Sequence, residues 1–302
     1  MNRLLVLHCG PMKTGSTAIQ DVLLERRDAL RATGVSYHHI RARGLVQQLR
    51  DVLEQERDGG CDVLLLSSEF FAQMPVESLQ PILELFPGER HAVLVSRPLR
   101  EIYPSLYLQN LKGSSRRVTT FRAFLENQLL LDQHIDPTRP GQLMNASALD
   151  RRMQLAGCTT HWIRYDRLQL LDRLAGVLRE ICGVSFELIR QPPSQEPAGL
   201  SPRRSLRMEL AGVARLINRW SRRGWLSDQL REMLLIVLLD LSDVLRRFLP
   251  FSSPLSAVDR RRCDQLDALI NIPFLRSRGM LLEGEQGSDD DAGFGFQDSL
   301  SG

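Results

Sequence analysis

The chain has 302 residues, 43% hydrophobic and 25% charged, with a net charge of +3. That is enough apolar content for a full core, in one large domain or two small ones, and we favour one. The charge is too small to argue for nucleic acid, and no basic block is interleaved with aromatics. The five cysteines are odd in number, widely spread and free of C-x-x-C pairs, so neither a disulfide framework nor a zinc site is expected. The apolar run before His8 is too short for a signal segment, and the longest one, Met233 to Leu239, is too short for a membrane span. The expectation is a soluble, cytoplasmic protein with buried thiols.

In chain order, Leu4 to Leu7 form a dense apolar run bounded by the Gly10-Pro11 breaker, which predicts a buried parallel strand. Ile19, Val22, Leu23 and Leu30 then recur at helical spacing up to Gly34, a left-handed C-terminal cap. Between them lies His8-Cys9-Gly10-Pro11-Met12-Lys13-Thr14-Gly15-Ser16-Thr17. Its glycines let the backbone approach a ligand, its amides sit at a free helix N-terminus, and Lys13, Thr14, Ser16 and Thr17 add donors, so the segment reads as a phosphate cradle. Of the 39 basic residues only Lys13 and Lys112 are lysines, which suggests that the cradle needs the compact ammonium.

The order of residues distinguishes this cradle from the triphosphatase loop G-x-x-x-x-G-K-[ST], where the lysine follows the last glycine. Here Lys13 precedes Gly15. The sequence Pro11-x-Lys13-Thr14-Gly15-Ser16-Thr17 directly after a first strand resembles the 5′-phosphosulfate loop of sulfotransferases that use 3′-phosphoadenosine-5′-phosphosulfate (PAPS), especially the Golgi-type and bacterial branches.

Val35 to Tyr37 predict a short strand, with His38 and His39 following on a loop, and Leu45 to Leu53 a helix that ends near Gly59-Gly60. Asp62 to Ser67 read as a second buried strand ending in Ser67-Ser68-Glu69, which places Glu69 at a carboxyl strand end, where ligands gather in open α/β sheets. A helix from Pro75 and a strand from His91 to Ser96 come next. That strand runs into Arg97-Pro98 and a helix carrying Ser105. Arg97 and Ser105 have the spacing of the sulfotransferase 3′-phosphate motif, so the resemblance implies that they hold the 3′-phosphate of PAPS. Pro98 directly after Arg97, and Ile102 in place of a second Arg, depart from the common pattern and weaken Arg100 as a contact.

Further on, Thr119 and Thr120 predict the cap of a helix through Leu129, and Asp132 to Gln142 predict a long polar loop bordering an acceptor cleft. Asn145 or Ser147 starts a helix ending at Gly157, Thr159 to Ile163 form a strand, and Asp166 with Gln169 fits a capping box for a helix up to Gly183. Tyr165 and Asp166 read as structural. The resemblance spans about residues 3 to 185. Gln191 to Pro202 read as a linker, followed by helices over Ser205 to Trp220, Ser227 to Phe248 and Ala257 to Ile272, and from Glu283 by a disordered tail.

The expected fold is a three-layer α/β domain, a parallel sheet with helices on both faces of the P-loop nucleotide-kinase-like kind, plus an α-helical C-terminal extension. In domain terms, 1–190 would be the PAPS-binding core, 191–282 the extension packed on it or pairing subunits as a homo-oligomer, and 283–302 the tail. The resemblance implies sulfuryl transfer to a hydroxyl or amine of a small-molecule or glycan acceptor, without metal. Pro11, Lys13, Thr14, Gly15, Ser16 and Thr17 would hold the 5′-phosphate, with Lys13 neutralising the departing oxygen. Glu69, His38 and His39 are the general-base candidates by position, Glu69 ranked first; His8, His91, His134 and His161 read as strand or loop residues. A P-loop kinase and a non-catalytic nucleotide-binding module are the alternatives.

Overall fold

The computed structural model describes residues 3–10, 14–41, 44–56, 61–112, 118–133, 136, 138, 144–166, 168–190, 206–248 and 255–280. Its centre is a five-stranded sheet of β1 (Leu4–His8), β2 (Val35–His39), β3 (Val63–Ser67), β4 (Glu89–Ser96) and β5 (Thr159–Arg164). The strands run in the order β2-β3-β1-β4-β5, and every pairing is parallel. Both faces are covered, which is why Leu4 to Leu7 of β1 and Val63 to Leu66 of β3 are apolar without alternating with polar residues. Leu5, Leu7, Leu64, Leu66, Ala92 and Leu94 face one helical layer; Val6, Val63, Leu65, Val93 and Val95 face the other. Leu5, Val6 and Leu7 are 0% exposed, and each such side chain contributes about 1.5–3 kcal/mol of transfer free energy.

In chain order the helices are α1 (Ser16–Glu25), α2 (Arg27–Ala32), α3 (Leu45–Gln55), α4 (Val76–Leu83), α5 (Leu99–Lys112), α6 (Phe121–Gln133), α7 (Ala146–Leu155), α8 (Leu170–Cys182), α9 (Glu187–Arg190), α10 (Ala211–Arg222), α11 (Asp228–Phe248), α12 (Ala257–Leu266) and α13 (Ile272–Ser277). Residues of α1, α2, α8 and α9 cover the Val6 face, and residues of α3, α4 and α7 cover the Leu5 face. The expected three-layer α/β architecture with a helical C-terminal part is therefore present.

That C-terminal part shares a second core with α5 and α6. Ala214, Ile217, Leu235, Leu238 and Cys263 of α10 to α12 pack with Leu106, Leu111, Leu125 and Leu129 of α5 and α6 in a cluster that includes no strand residue. A π-helical turn, Asp267–Asn271, ties this cluster to the rest. The Asp267 carboxylate accepts from the Leu99 amide at the start of α5 (2.7 Å), and Asn271 Oδ1 accepts from the Ala146 amide at the start of α7 (2.8 Å), so one turn caps two helices whose own N-termini need acceptors. Leu275 then packs into the core under α3, α4 and α7. On α11 the side chains of Met233, Ile236, Val237 and Val244 stay about half exposed.

Four local differences from the sequence reading have physical causes. The first helix is interrupted at Arg26 (φ −93°, ψ 9°), and α2 starts afresh so that Leu30 is fully buried. His38 and His39 belong to β2 and not to a loop, because their backbones pair in register with Leu66 and Ser67; ladder bonds do not depend on side-chain polarity. Asp132 lies in α6, buried, where its carboxylate accepts from the Tyr103 hydroxyl (2.7 Å) and the Met144 amide (3.1 Å). The last long helix stops at Leu266, where the π-helical turn begins. The linker Gln191 to Pro202, the Gly59-Gly60 helix end and the tail from Glu283 lie outside the described residues.

Candidate functional site

The strand order creates the site. From β1 the chain passes over the Val6 face to reach β2, whereas β3 continues through α4 on the Leu5 face to reach β4. Since β1 lies between β3 and β4, the chain leaves neighbouring strands over opposite faces, and a crevice opens at their carboxyl ends. The segments that emerge there are the loop after His8, the Ser68-Glu69 turn and Arg97. Pro11, Met12 and Lys13 lie outside the described residues, so the loop is built here from its two flanks.

Gly15 is the residue before α1, held in the left-handed region (φ 84°), where a side chain is strained. It has no side chain to cap the helix, and no acidic residue stands in the first turn, so the N-terminal partial charge is left for a ligand. Thr14 is 0% exposed and Ser16 1%, while Thr17 is half-buried. A β-carbon on Gly10 would lie 2.3 Å from Ser16 Oγ, 3.1 Å from Thr14 Oγ1 and 3.4 Å from His8 Nε2. Three polar atoms thus approach Gly10 at a closeness that only glycine permits. Ser16 Oγ and His8 Nε2 are both buried there without a hydrogen-bond partner among the described residues. Leaving a buried polar atom unsatisfied costs about 1–3 kcal/mol, so two at one point mark a cradle shaped for something that hydrogen-bonds to both.

His8 is the residue that sequence reasoning passed over. It ends β1, and its Nδ1 lies 2.8 Å from Ser67 Oγ at the same register level of β3. Burial, and then His39 nearby, lower its pKa to about 4, so the ring is neutral at physiological pH. The available signal was the period of two: a residue two places after Val6 shares its face, the face on which α1 packs. Cys9 next to it is fully buried and its pKa is raised, which makes it an inert thiol.

Arg97 stands on the other side of the loop. Its guanidinium lies over the Tyr165 ring, 4.6 Å from the centroid, and its Nε donates to Glu101 Oε2 at 2.9 Å. The Tyr165 ring also flanks the loop, since a β-carbon on Gly15 would lie 2.9 Å from its Cε2. One aromatic ring therefore touches both the phosphate-type loop and the candidate second phosphate ligand. The Tyr165 amide donates to the Ser96 carbonyl at 2.7 Å, which fixes the ring where β4 and β5 end. Asp166 accepts from the Leu168 and Gln169 amides at 2.9 and 3.3 Å, but the expected capping box does not form, because α8 starts only after Gln169, whose side chain accepts from Arg173. Ser105 is half-buried on α5. The second lysine, Lys112, lines a depression with Asp228, Arg231 and Glu232 in the helical part.

The three base candidates separate by strand alternation. His39 shares the face of Tyr37 and the α1 layer, is exposed, and lies close enough to His8 to affect its charge. His38 points to the opposite face, where Nε2 is 3.0 Å from Glu56 Oε1 and 3.1 Å from Ser36 Oγ. Burial raises the pKa of Glu56, but the bonds from Ser36 and His38 outweigh it and the net shift is downward. Glu69 is partly exposed on the turn after β3. That turn is pinned by the Ser68 amide donating to the His8 carbonyl (3.1 Å) and by fully buried Arg152, which donates to the Ala72 carbonyl. His91 and His161 are strand residues bonded to each other at 3.0 Å; His134 lies outside the described residues.

Among the described residues no group of three or more His, Cys, Asp or Glu is arranged to hold a metal ion, and no helix is long and apolar enough to cross a membrane. No protein-family model matches the chain. No curated protein matches it either. Among solved structures, a sulfotransferase domain from the curacin biosynthetic pathway is similar over 88% of this chain and 97% of its own length, at 13% identity and a TM-score of 0.37. A likeness that distant transfers no residue.

Proposed function

We propose that this protein moves a sulfuryl group from PAPS to a hydroxyl or amine acceptor of small-molecule or carbohydrate type, leaving adenosine 3′,5′-bisphosphate. The observation that carries the reading is the Tyr165 ring touching both Gly15 and Arg97. It brings the loop and Arg97 to one crevice, which supports a nucleotide with separate 5′ and 3′ phosphates over one with a single phosphate chain. The donor supplies an activated sulfuryl group; the chain supplies position and charge. The Thr14 to Thr17 cradle and the start of α1 hold the 5′-phosphate. Arg97 and Ser105 grip the 3′-phosphate. Lys13, an expectation from sequence, neutralises the 5′-phosphate oxygen as the sulfur–oxygen bond breaks.

The acceptor's proton passes to Glu69 or His39 while the new bond to sulfur forms. Glu69 belongs to a segment that emerges at the crevice and His39 ends β2 near His8, whereas His38 is engaged by Glu56 on the other face. The test is release of labelled sulfate groups from PAPS to a panel of hydroxyl and amine acceptors, by the parent and by Lys13→Ala. The reading expects transfer by the parent and a far larger loss in turnover than in bisphosphate binding for the variant. Equal losses in both would refute the leaving-group role, and phosphoryl transfer from ATP with magnesium would establish the kinase alternative.

A further inference from the structure

We propose that His8 is a direct hydrogen-bond donor to the anion bound by the loop, presenting Nε2–H into the space above Gly10 together with Ser16 Oγ. The inference rests on the loop being an anion site, as argued above, but not on which nucleotide brings the anion.

The geometry makes the assignment. His8 is 1% exposed, and its ring is fixed at one end only, by Ser67 Oγ at 2.8 Å from Nδ1. The other end, Nε2, is buried without a partner among the described residues and lies beside Gly10 together with Ser16 Oγ, also 1% exposed and unpartnered among them. A serine hydroxyl donates as readily as it accepts. When Ser67 donates to Nδ1, the proton of the neutral ring must sit on Nε2, so a second-row partner sets the tautomer that faces the cradle. The neutral state itself follows from burial and from His39, which keep the ring uncharged at pH 7. Two neutral donors plus the α1 amides then meet an oxyanion without bringing a buried countercharge.

The experiment uses the full chain and two probes, inorganic phosphate and adenosine 3′,5′-bisphosphate, titrated calorimetrically into the parent, His8→Phe and His8→Gln. Phe keeps the ring volume and removes the donor; the Gln amide nitrogen can reach the place of Nε2. His8→Phe is expected to weaken both probes about ten- to a hundredfold, the range for a hydrogen bond to a charged group, and His8→Gln to recover most of that loss. Nitrogen-15 spectra of ring-labelled parent protein need no substitution: the His8 ring should show the Nε2–H tautomer, and phosphate should move the Nε2 resonance much more than Nδ1. His8→Phe binding as tightly as the parent would overturn the proposal, as would His8→Gln binding as weakly as His8→Phe, because the ring would then act only by packing. A parent that prefers ATP with magnesium, yet loses it in His8→Phe, would support the His8 role and refute the sulfotransferase reading. A parent that binds neither probe nor ATP would refute both.

Discussion

The two glycines of the loop, Gly10 and Gly15, should fail in opposite ways when replaced by alanine. Gly10 is not in the left-handed region, so its backbone accepts alanine. The new methyl would lie 2.3 Å from Ser16 Oγ and 3.1 Å from Thr14 Oγ1, and Ser16 can yield by changing rotamer, at about 0.5–1.5 kcal/mol. Removing glycine from the unfolded chain returns about 0.4–1 kcal/mol, so the stability change should be close to zero. Binding should suffer much more, because the methyl occupies the space where His8 and Ser16 converge. Loss of two charge-assisted bonds at about 1.5–3 kcal/mol each corresponds to roughly 10²- to 10⁴-fold in affinity. Gly15→Ala differs: its φ of 84° strains any side chain, and the methyl would lie 2.6 Å from Leu170 Cδ2 and 2.9 Å from Tyr165 Cε2. Left-handed strain of about 1–2 kcal/mol and overpacking of about 1–3 kcal/mol add to a clear loss of stability. Urea unfolding and calorimetric titration with adenosine 3′,5′-bisphosphate, run on both variants, read the two effects separately. A Gly10→Ala protein that binds the bisphosphate like the parent would show that the cradle is not the phosphate site.

Arg97→Ala and Ser105→Ala should each reduce the preference for 3′-phosphorylated over 3′-dephosphorylated nucleotide, and Glu101→Gln should raise affinity a few-fold by freeing the guanidinium from a partly exposed pair worth about 0–1 kcal/mol; an unchanged preference in Arg97→Ala would sink the assignment. For the base, Glu69→Gln or His39→Ala should lower single-turnover transfer by about 10²–10⁴ with donor affinity kept. His38→Ala should instead lower stability, since it leaves buried Glu56 with one hydrogen-bond partner fewer. The pH profile of stability contains opposed contributions. Burial raises Asp132 and Asp267 to about 6 in the folded protein, from 3.8, so their ionisation disfavours folding and stability from them falls as pH rises from about 4 to 6. His8, lowered to about 4 from 6.5, acts the other way and loses stability as pH falls through that interval. Melting temperatures of the parent relative to Asp132→Asn should therefore shift in favour of the parent as pH drops from 7 to 4; a difference independent of pH would contradict the raised carboxyl.

The sheet was legible because burial on both faces leaves an unmistakable mark: Leu4 to Leu7 and Val63 to Leu66 are apolar without alternation, and both are central strands. The edge strand was less so. His38 and His39 are polar, and their place in β2 comes from backbone pairing with β3, which no side chain announces. Asp132 misled for a related reason: a carboxylate is read as surface until its donors, Tyr103 and the Met144 amide, are brought from elsewhere in the chain. At the site, the loop and Arg97 stood out as local patterns, whereas the link between them is Tyr165, whose ring gains its meaning only when β5 is laid beside β4. His8 was hidden because its role depends on Ser67 and Ser16, one 59 residues away and the other across a turn. The helical core shared by α5, α6 and α10 to α12 is likewise a product of packing: the stripes were visible in the sequence, their partners were not.

The measurement that bears most directly on the whole account is a competition titration at constant ionic strength, adenosine 3′,5′-bisphosphate without metal against ATP with magnesium, on the full chain. The proposed pair of phosphate sites, joined by Tyr165, predicts that the bisphosphate binds more tightly, and that Arg97→Ala removes the advantage without abolishing binding at the loop. Tighter binding of ATP with magnesium, or a bisphosphate affinity indifferent to Arg97, would contradict it.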